Sequence, residues 1–257
     1  MWRGWVGCSY EKQQIVRGDL PWQWIGVTHE YIDCPVPFTS ELLENVQYRT
    51  IGDGASSKDP KKFHKNIALL KKGMQEEPDN VRYAFYLAES YRCADKKGKA
   101  LEWYQKRVEM GGWAEEVFAS KLHIAHILKD LGLSTALVLE AYNDAATFRP
   151  HRSEPAYYIA EICNQQKMHH EAYFCLKVKE QTPKPYRKDI LFNMDWIEDY
   201  GLLFQLSISA YYVGNYQEAL DACDQLLQNP NLPASWRTLT EQNRLFPLQK
   251  LQESSAL

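Results

Sequence analysis

The stretch "PDNVRYAFYLAESYRCADKKGKALEWYQKRVEM", Pro78 to Met110, decides the fold. Tyr83, Leu87, Ala88 and Tyr91 recur at helical spacing on one face, and Ala100, Trp103, Tyr104 and Val108 do the same in a second run. The small Ala88 and Ala100 let two antiparallel helices approach closely, while Leu87 and Tyr104 fill the space between them. The expected product is a helix hairpin.

That hairpin is repeated. Ala88 and Ala160, Ala100 and Ala172, and Pro78 and Pro150 are pairs each 72 residues apart. This is two repeats of about 34 to 36 residues, the length of a tetratricopeptide unit. The second copy, "RSEPAYYIAEICNQQKMHHEAYFCLKVKEQTP", sets Ile159, Ala160 and Cys163 in its first helix and Ala172 opposite Ala100. A looser unit, "WAEEVFASKLHIAHILKDLGLSTALVLEAYNDAATFRP", lies between the two. A fourth, "LLFQLSISAYYVGNYQEALDACDQLLQNP", follows, and its Gly214, Tyr216 and Ala219 resemble the tetratricopeptide pattern at the bend.

Upstream, Asp59 and Pro60 are good helix-start chemistry for "DPKKFHKNIALLKKGMQEEPDN". Downstream, "ASWRTLTEQNRLFPLQKLQ" is an amphipathic piece that would close the last apolar face. The predicted fold class is mainly α: a tetratricopeptide-like right-handed superhelix of helix hairpins over residues 59–257, after a small β-hairpin segment over residues 1–58.

In that N-terminal segment "QQIVR" and "WQWIGVTHEY" read as strands joined by a bend at "GDLP". Alternation along the second run puts Trp22 and Trp24 on one face and Ile25, Val27 and His29 on the other. Isolated hairpins are marginal. The segment therefore leans on the first helices of the array or belongs to a larger sheet.

Bulk properties narrow the function. With 45% hydrophobic residues the chain can bury a core, and a net charge of −3 with Lys and Arg scattered among Asp and Glu gives no basic footprint for nucleic acid or membrane. The six cysteines are dispersed with no C-x-x-C pair, which suits a reducing, cytoplasmic setting. No segment has signal-peptide or membrane-span character.

Minor motifs have plain structural readings. His123 and His126 lie three apart on a helix, a spacing that can hold a metal, yet no third ligand is evident and a surface pair is expected. His169 and His170 fall at a bend and should be exposed. "RGD" at Arg17–Asp19 fits a turn, and "GDGASSK" at 52–58 lacks phosphate-loop spacing and reads as a linker. In "GGWAEE", 111–116, the glycines end a helix, Trp113 packs in the joint, and Glu115 and Glu116 favour the next helix start.

"WQWIGVTHEY", "DGASSKDPKKFHKNIALLKKGMQEEPDNVRYAFYLAESY", "YQKRVEMGGWAEEVF", "FRPHRSEP" and "ISAYYVGNY" together resemble bacterial family 2 glycosyltransferases that carry a tetratricopeptide tail. The resemblance implies that residues 1–58 are the end of a sugar-transferring GT-A-type domain. It also implies that His29 and Glu30 are the remnant of a site near the nucleotide-sugar phosphates and the metal. An intact enzyme of this kind would use Mg²⁺ or Mn²⁺ with a nucleotide-sugar. This sequence has no D-x-D pair to hold that ion, so no catalytic residue, metal or cofactor is expected of this chain alone.

The leading expectation is a protein-interaction scaffold whose concave groove takes a protein or peptide, or that self-associates. Groove positions by repeat register are Arg82, Tyr86, Glu89 and Ser90 in one unit and Tyr157, Tyr158 and Glu161 in another. The alternative is a family 2 glycosyltransferase whose tail recognises the acceptor or mediates oligomerisation.

Overall fold

The computed structural model describes residues 10–13, 15–43, 54–183 and 189–255. Its contacts divide into two compact units whose main bodies are Glu11–Ser120 and Lys121–Leu257.

In the first unit, strand β1 (Gln23–Ile25) pairs antiparallel with β2 (Tyr31–Asp33), Trp24 opposite Ile32. The bend thus lies at residues 26–30 and not at "GDLP", which corrects the expected hairpin by one segment. Gly26 has φ +117°, a conformation open to glycine, which lets the chain reverse there. The Arg17–Asp19 turn does form, with the Trp22 indole donating to the Arg17 carbonyl at 2.7 Å, but Ile15 beside it is 77% exposed and pairs into no ladder. Because β1 stops at Ile25, Val27 and His29 belong to the bend and the expected alternation ends.

Helix α1 (Ala55–Lys58) is a single turn where a linker was expected. Helix α2 (Lys62–Glu76) begins beyond Pro60, and the Asp59 carboxylate accepts the Lys61 N–H at 2.8 Å just ahead of it. Asn80 caps α3 (Val81–Cys93) through the Tyr83 N–H at 3.1 Å. Helix α4 (Lys97–Met110) ends at Gly111 and Gly112, both at positive φ, before α5 (Ala114–Asp130). Trp113 does not fill that joint; it stands 41% exposed.

Ala88 on α3 and Ala100 on α4 are completely buried, and Leu87 and Tyr104 are sealed beside them. Ala88→Leu should therefore overpack the α3–α4 seam and cost about 1–3 kcal/mol, read as a lower urea midpoint with helical circular dichroism retained.

The second unit continues from the later turns of α5 through α6 (Thr135–Phe148), α7 (Glu154–Gln165) and α8 (His169–Gln181). A π-helical turn, Ile197–Gly201, then leads into α9 (Leu202–Tyr212), followed by α10 (Tyr216–Gln228) and α11 (Ala234–Ser255). Helix α7 packs on α8, α9 on α10, and α11 lies against α10 and α9. Ala160 and Ala172 are as buried as Ala88 and Ala100, so the second hairpin repeats the first in register. Gly201 permits a close crossing, since a Cβ there would come within 3.1 Å of the Trp196 ring and 3.2 Å of Tyr157.

Three histidines depart from their expected surface places. His123 is buried at 5% exposure, and His126 is half-buried with Nδ1 2.7 Å from the Tyr142 hydroxyl. His169 lies stacked on Tyr212 with ring centroids 3.9 Å apart, its Nδ1 3.1 Å from Asn164 Oδ1. His170 alone of the bend pair is exposed.

Candidate functional site

In the first unit α2 and α4 cover two sides of α3, and the side carrying Arg82 and Tyr86 receives the hairpin bend. The His29 ring lies flat on Tyr86, centroids 4.2 Å apart and 11° between planes. Its carbonyl accepts Arg82 Nη2 at 2.9 Å, and its Nε2 sits 3.4 Å from Asn66 Nδ2 on α2. The Arg82 guanidinium lies 4.8 Å from the Tyr31 ring centroid and 4.7 Å from that of Tyr86, which adds cation–π attraction. Its Nη1 is 3.7 Å from Glu116 on α5. Two groups that sequence reading kept apart, the His–Glu pair and the groove positions, are thereby brought into contact. Glu30 is exposed and acts here only through its charge on His29.

Glu89 and Ser90 lie on the same helix but are buried, at 6% and 2% exposure. The Glu89 carboxylate accepts a hydrogen bond from Tyr104 on α4 and pairs with Arg92 Nη2 at 2.8 Å. Burial, then the Glu89 charge, pushes the Tyr104 phenol well above its ordinary value, so it stays a donor. The sequence signal for this arrangement was the i, i+3 spacing of Glu89 and Arg92 beside a core tyrosine.

His29 is an exposed residue with one ring face covered by Tyr86; that covering, then the charges of Arg82 and Lys62, lowers its pKa to about 4, with Glu30 opposing. The groups facing it are Lys62 and Asn66 from α2 and Arg82 and Tyr86 from α3. A histidine depressed in the docked state favours docking above its free value of 6.5 and loses it as pH falls from there toward 4. Ring-current shifts of His29 followed by NMR should vanish over that window while the core resonances of α3 persist.

The second unit carries an aromatic and charged strip on α5, α6 and α7. Tyr158 stacks on Tyr142 at 5.5 Å and meets His126 edge-on at 4.6 Å. Glu161 pairs with Lys129 at 2.9 Å and accepts the Tyr157 hydroxyl at 3.3 Å. Tyr157 itself is 4% exposed, wedged against Trp196, so of the three groove positions here Tyr158 and Glu161 keep partial access. His126 was not among the sequence candidates for this strip, although its place four residues after Leu122 on the same helix is legible.

Among the described residues no group of three or more His, Cys, Asp or Glu side chains is placed to hold a metal ion. With its ring face on Tyr86 and Nε2 at Asn66, His29 joins no such set, so the described residues do not fit the divalent ion that the glycosyltransferase resemblance implies. No described helix is long and apolar enough to cross a membrane.

No family model matches the sequence, and no curated protein does either. Solved structures do match. The tetratricopeptide-repeat protein YrrB, described as having an unusual peptide-binding site, aligns over 70% of this chain and 84% of its own at TM-score 0.50 and 12% identity. MamA aligns over 71% and 96% at TM-score 0.50 and 16% identity. A tetratricopeptide-repeat protein from Parabacteroides merdae ATCC 43184 aligns over 76% and 70% at TM-score 0.50 and 18% identity. The chain has a tetratricopeptide-type fold of helix hairpins. These likenesses show the fold alone and add nothing to the glycosyltransferase resemblance.

Proposed function

We propose that the protein is an interaction scaffold that binds an extended peptide or a helix of a protein partner on the first-helix faces of its hairpins. The observation that supports this reading is the strip on α5, α6 and α7, where Tyr158 and Glu161 are held by His126, Tyr142 and Lys129 yet stay partly open. Rigid aromatics with a fixed carboxylate offer contact area and a hydrogen-bond acceptor at low entropic cost. The mixed charges on these helices disfavour capture of a C-terminal carboxylate through paired lysines.

Screening the full chain against an array of unstructured peptides tests the reading. Selected peptides should lose roughly tenfold or more in affinity to the Tyr158→Ala/Glu161→Ala variant, a fold-change typical of an interface anchor. Equal binding by both proteins would remove this face from consideration. Self-association through the same face would appear as concentration-dependent sedimentation that the double substitution abolishes.

The alternative, a family 2 glycosyltransferase of which these repeats are the C-terminal part, is supported by the likeness of the quoted segments. Calorimetric titration with UDP- and GDP-sugars plus Mg²⁺ or Mn²⁺ separates the two. Metal-dependent saturable heat that disappears in His29→Ala would favour the enzyme.

A further inference from the structure

We propose that the bend at residues 26–30 sits on the α3 face as a tethered ligand, and that the outside partner of this face is an extended peptide presenting a planar side chain to Tyr86 and a main-chain carbonyl to Arg82; the inference rests on the peptide-binding reading above. Both contacts of His29, ring on ring and carbonyl to guanidinium, are ones that an extended peptide with one planar side chain can reproduce. Neither uses the β-ladder of the hairpin, whose pairing ends at Ile25 and Tyr31.

The receiving side is preset. Glu116, itself buried, holds Arg82 Nη1, and the Tyr86 ring supports the guanidinium from below. On α2, Gly73 leaves room for the bend, since a Cβ there would come within 3.2 Å of the Val27 methyl and 3.0 Å of the Tyr83 ring.

The bend is also an incomplete occupant. Arg82 Nε is buried with no hydrogen-bond partner, so the site has a donor that the bend does not use. His29 holds φ +55°, a costly conformation for a residue with a Cβ, and strands of three residues add little hold. A peptide in relaxed extended geometry, with an acceptor reaching Arg82 Nε, would displace it.

The test uses the full chain and a fluorescein-labelled synthetic peptide of the sequence Trp22–Asp33, followed by anisotropy. In the wild type the tethered copy acts at an effective concentration on the order of millimolar and should keep the probe out. His29→Gly removes the ring while tolerating the left-handed backbone, and Val27→Asp weakens the seat on α2. The double variant should bind the probe at least about tenfold more tightly than wild type, because its competent face is no longer mostly occupied. Adding Tyr86→Ala should erase that gain.

Hydrogen exchange on residues 23–33 reports release of the bend in the same samples. A bend that stays protected in the double variant overturns the proposal, as does a released bend whose α3 face takes up no probe. If array peptides still bind in a Tyr158-dependent way while the probe fails, the scaffold reading stands and this inference alone falls.

Discussion

Arg107→Ala should destabilise the first unit by about 3–5 kcal/mol, the cost of stripping one partner from a buried ion pair. Arg107 has no solvent exposure at all. Its Nη2 and Nε reach Glu116 Oε2 at 3.1 and 3.3 Å, and its Nη1 bonds the Gly111 carbonyl at the end of α4. One side chain thus satisfies a helix-end carbonyl and neutralises a carboxylate in the first turn of α5. Truncation would leave Glu116, 2% exposed, with Arg82 at 3.7 Å as its remaining cation.

Burial already raises the Glu116 pKa against the pull of Arg107 and Arg82, so the variant should protonate it at higher pH still. Urea unfolding monitored by circular dichroism, with hydrogen exchange assigning the loss to α4 and α5, measures the effect. Arg107→Met combined with Glu116→Leu removes both charges and fills the space. It should recover most of the stability, since the loss in the single variant is chiefly the orphaned carboxylate. Because Glu116 also anchors Arg82, the double variant should loosen the His29 contact as well.

The repeat register was legible because packing leaves a strict mark on sequence. Ala88, Ala100, Ala160 and Ala172 must be small where helices touch, and all four are fully buried. Turn chemistry was less legible. "GDLP" and "IGVTHE" both carry glycine and polar residues, and what selects the second is that Val27 and His29 find seats on α2 and α3, a tertiary effect absent from local propensity. Glu89 illustrates the same limit from the other side. Register marks it as a first-helix position open to a groove, but the hydroxyl of Tyr104 and the guanidinium of Arg92 draw it inward and seal it. His126 was assigned to a surface by spacing alone, whereas its ring completes an aromatic stack with Tyr142 and Tyr158. Residues 189–201 carry no helical period that places them, because a buried charge cluster, not an apolar stripe, holds their first part.

That cluster gives the second large effect. Asp189→Ala should cost about 3–5 kcal/mol, since it removes the carboxylate that the half-buried Arg149 pairs with and that buried Arg152 shares with Glu154. Asp189 Oδ2 accepts Arg149 Nε at 2.8 Å and Arg152 Nη1 at 3.2 Å, while Oδ1 takes Arg149 Nη2 and lies 3.2 Å from His151 Nε2. Arg152 extends the hold to the carbonyls of Leu191 at 3.1 Å and Phe192 at 3.0 Å, and to Glu154 at 2.7 Å. The junction of α6 and α7 is in this way tied to the segment that leads into the π turn. Burial works to raise the Asp189 pKa, but the bonds from Arg149, His151 and Arg152 outweigh it and hold the carboxylate at about 2.

A carboxylate depressed in the folded state contributes stability above its ordinary value of 3.8 and loses it as pH falls toward 2. The gap in urea midpoint between wild type and Asp189→Asn should therefore be full at pH 6, shrink below about pH 4, and close near pH 2. A gap that stays constant across that range would mean that the acceptor replaced by an amide NH2 group, and not the lost charge, sets the cost. Arg149→Ala combined with Asp189→Ala should cost clearly less than the two single losses added together, because the two side chains share one interaction.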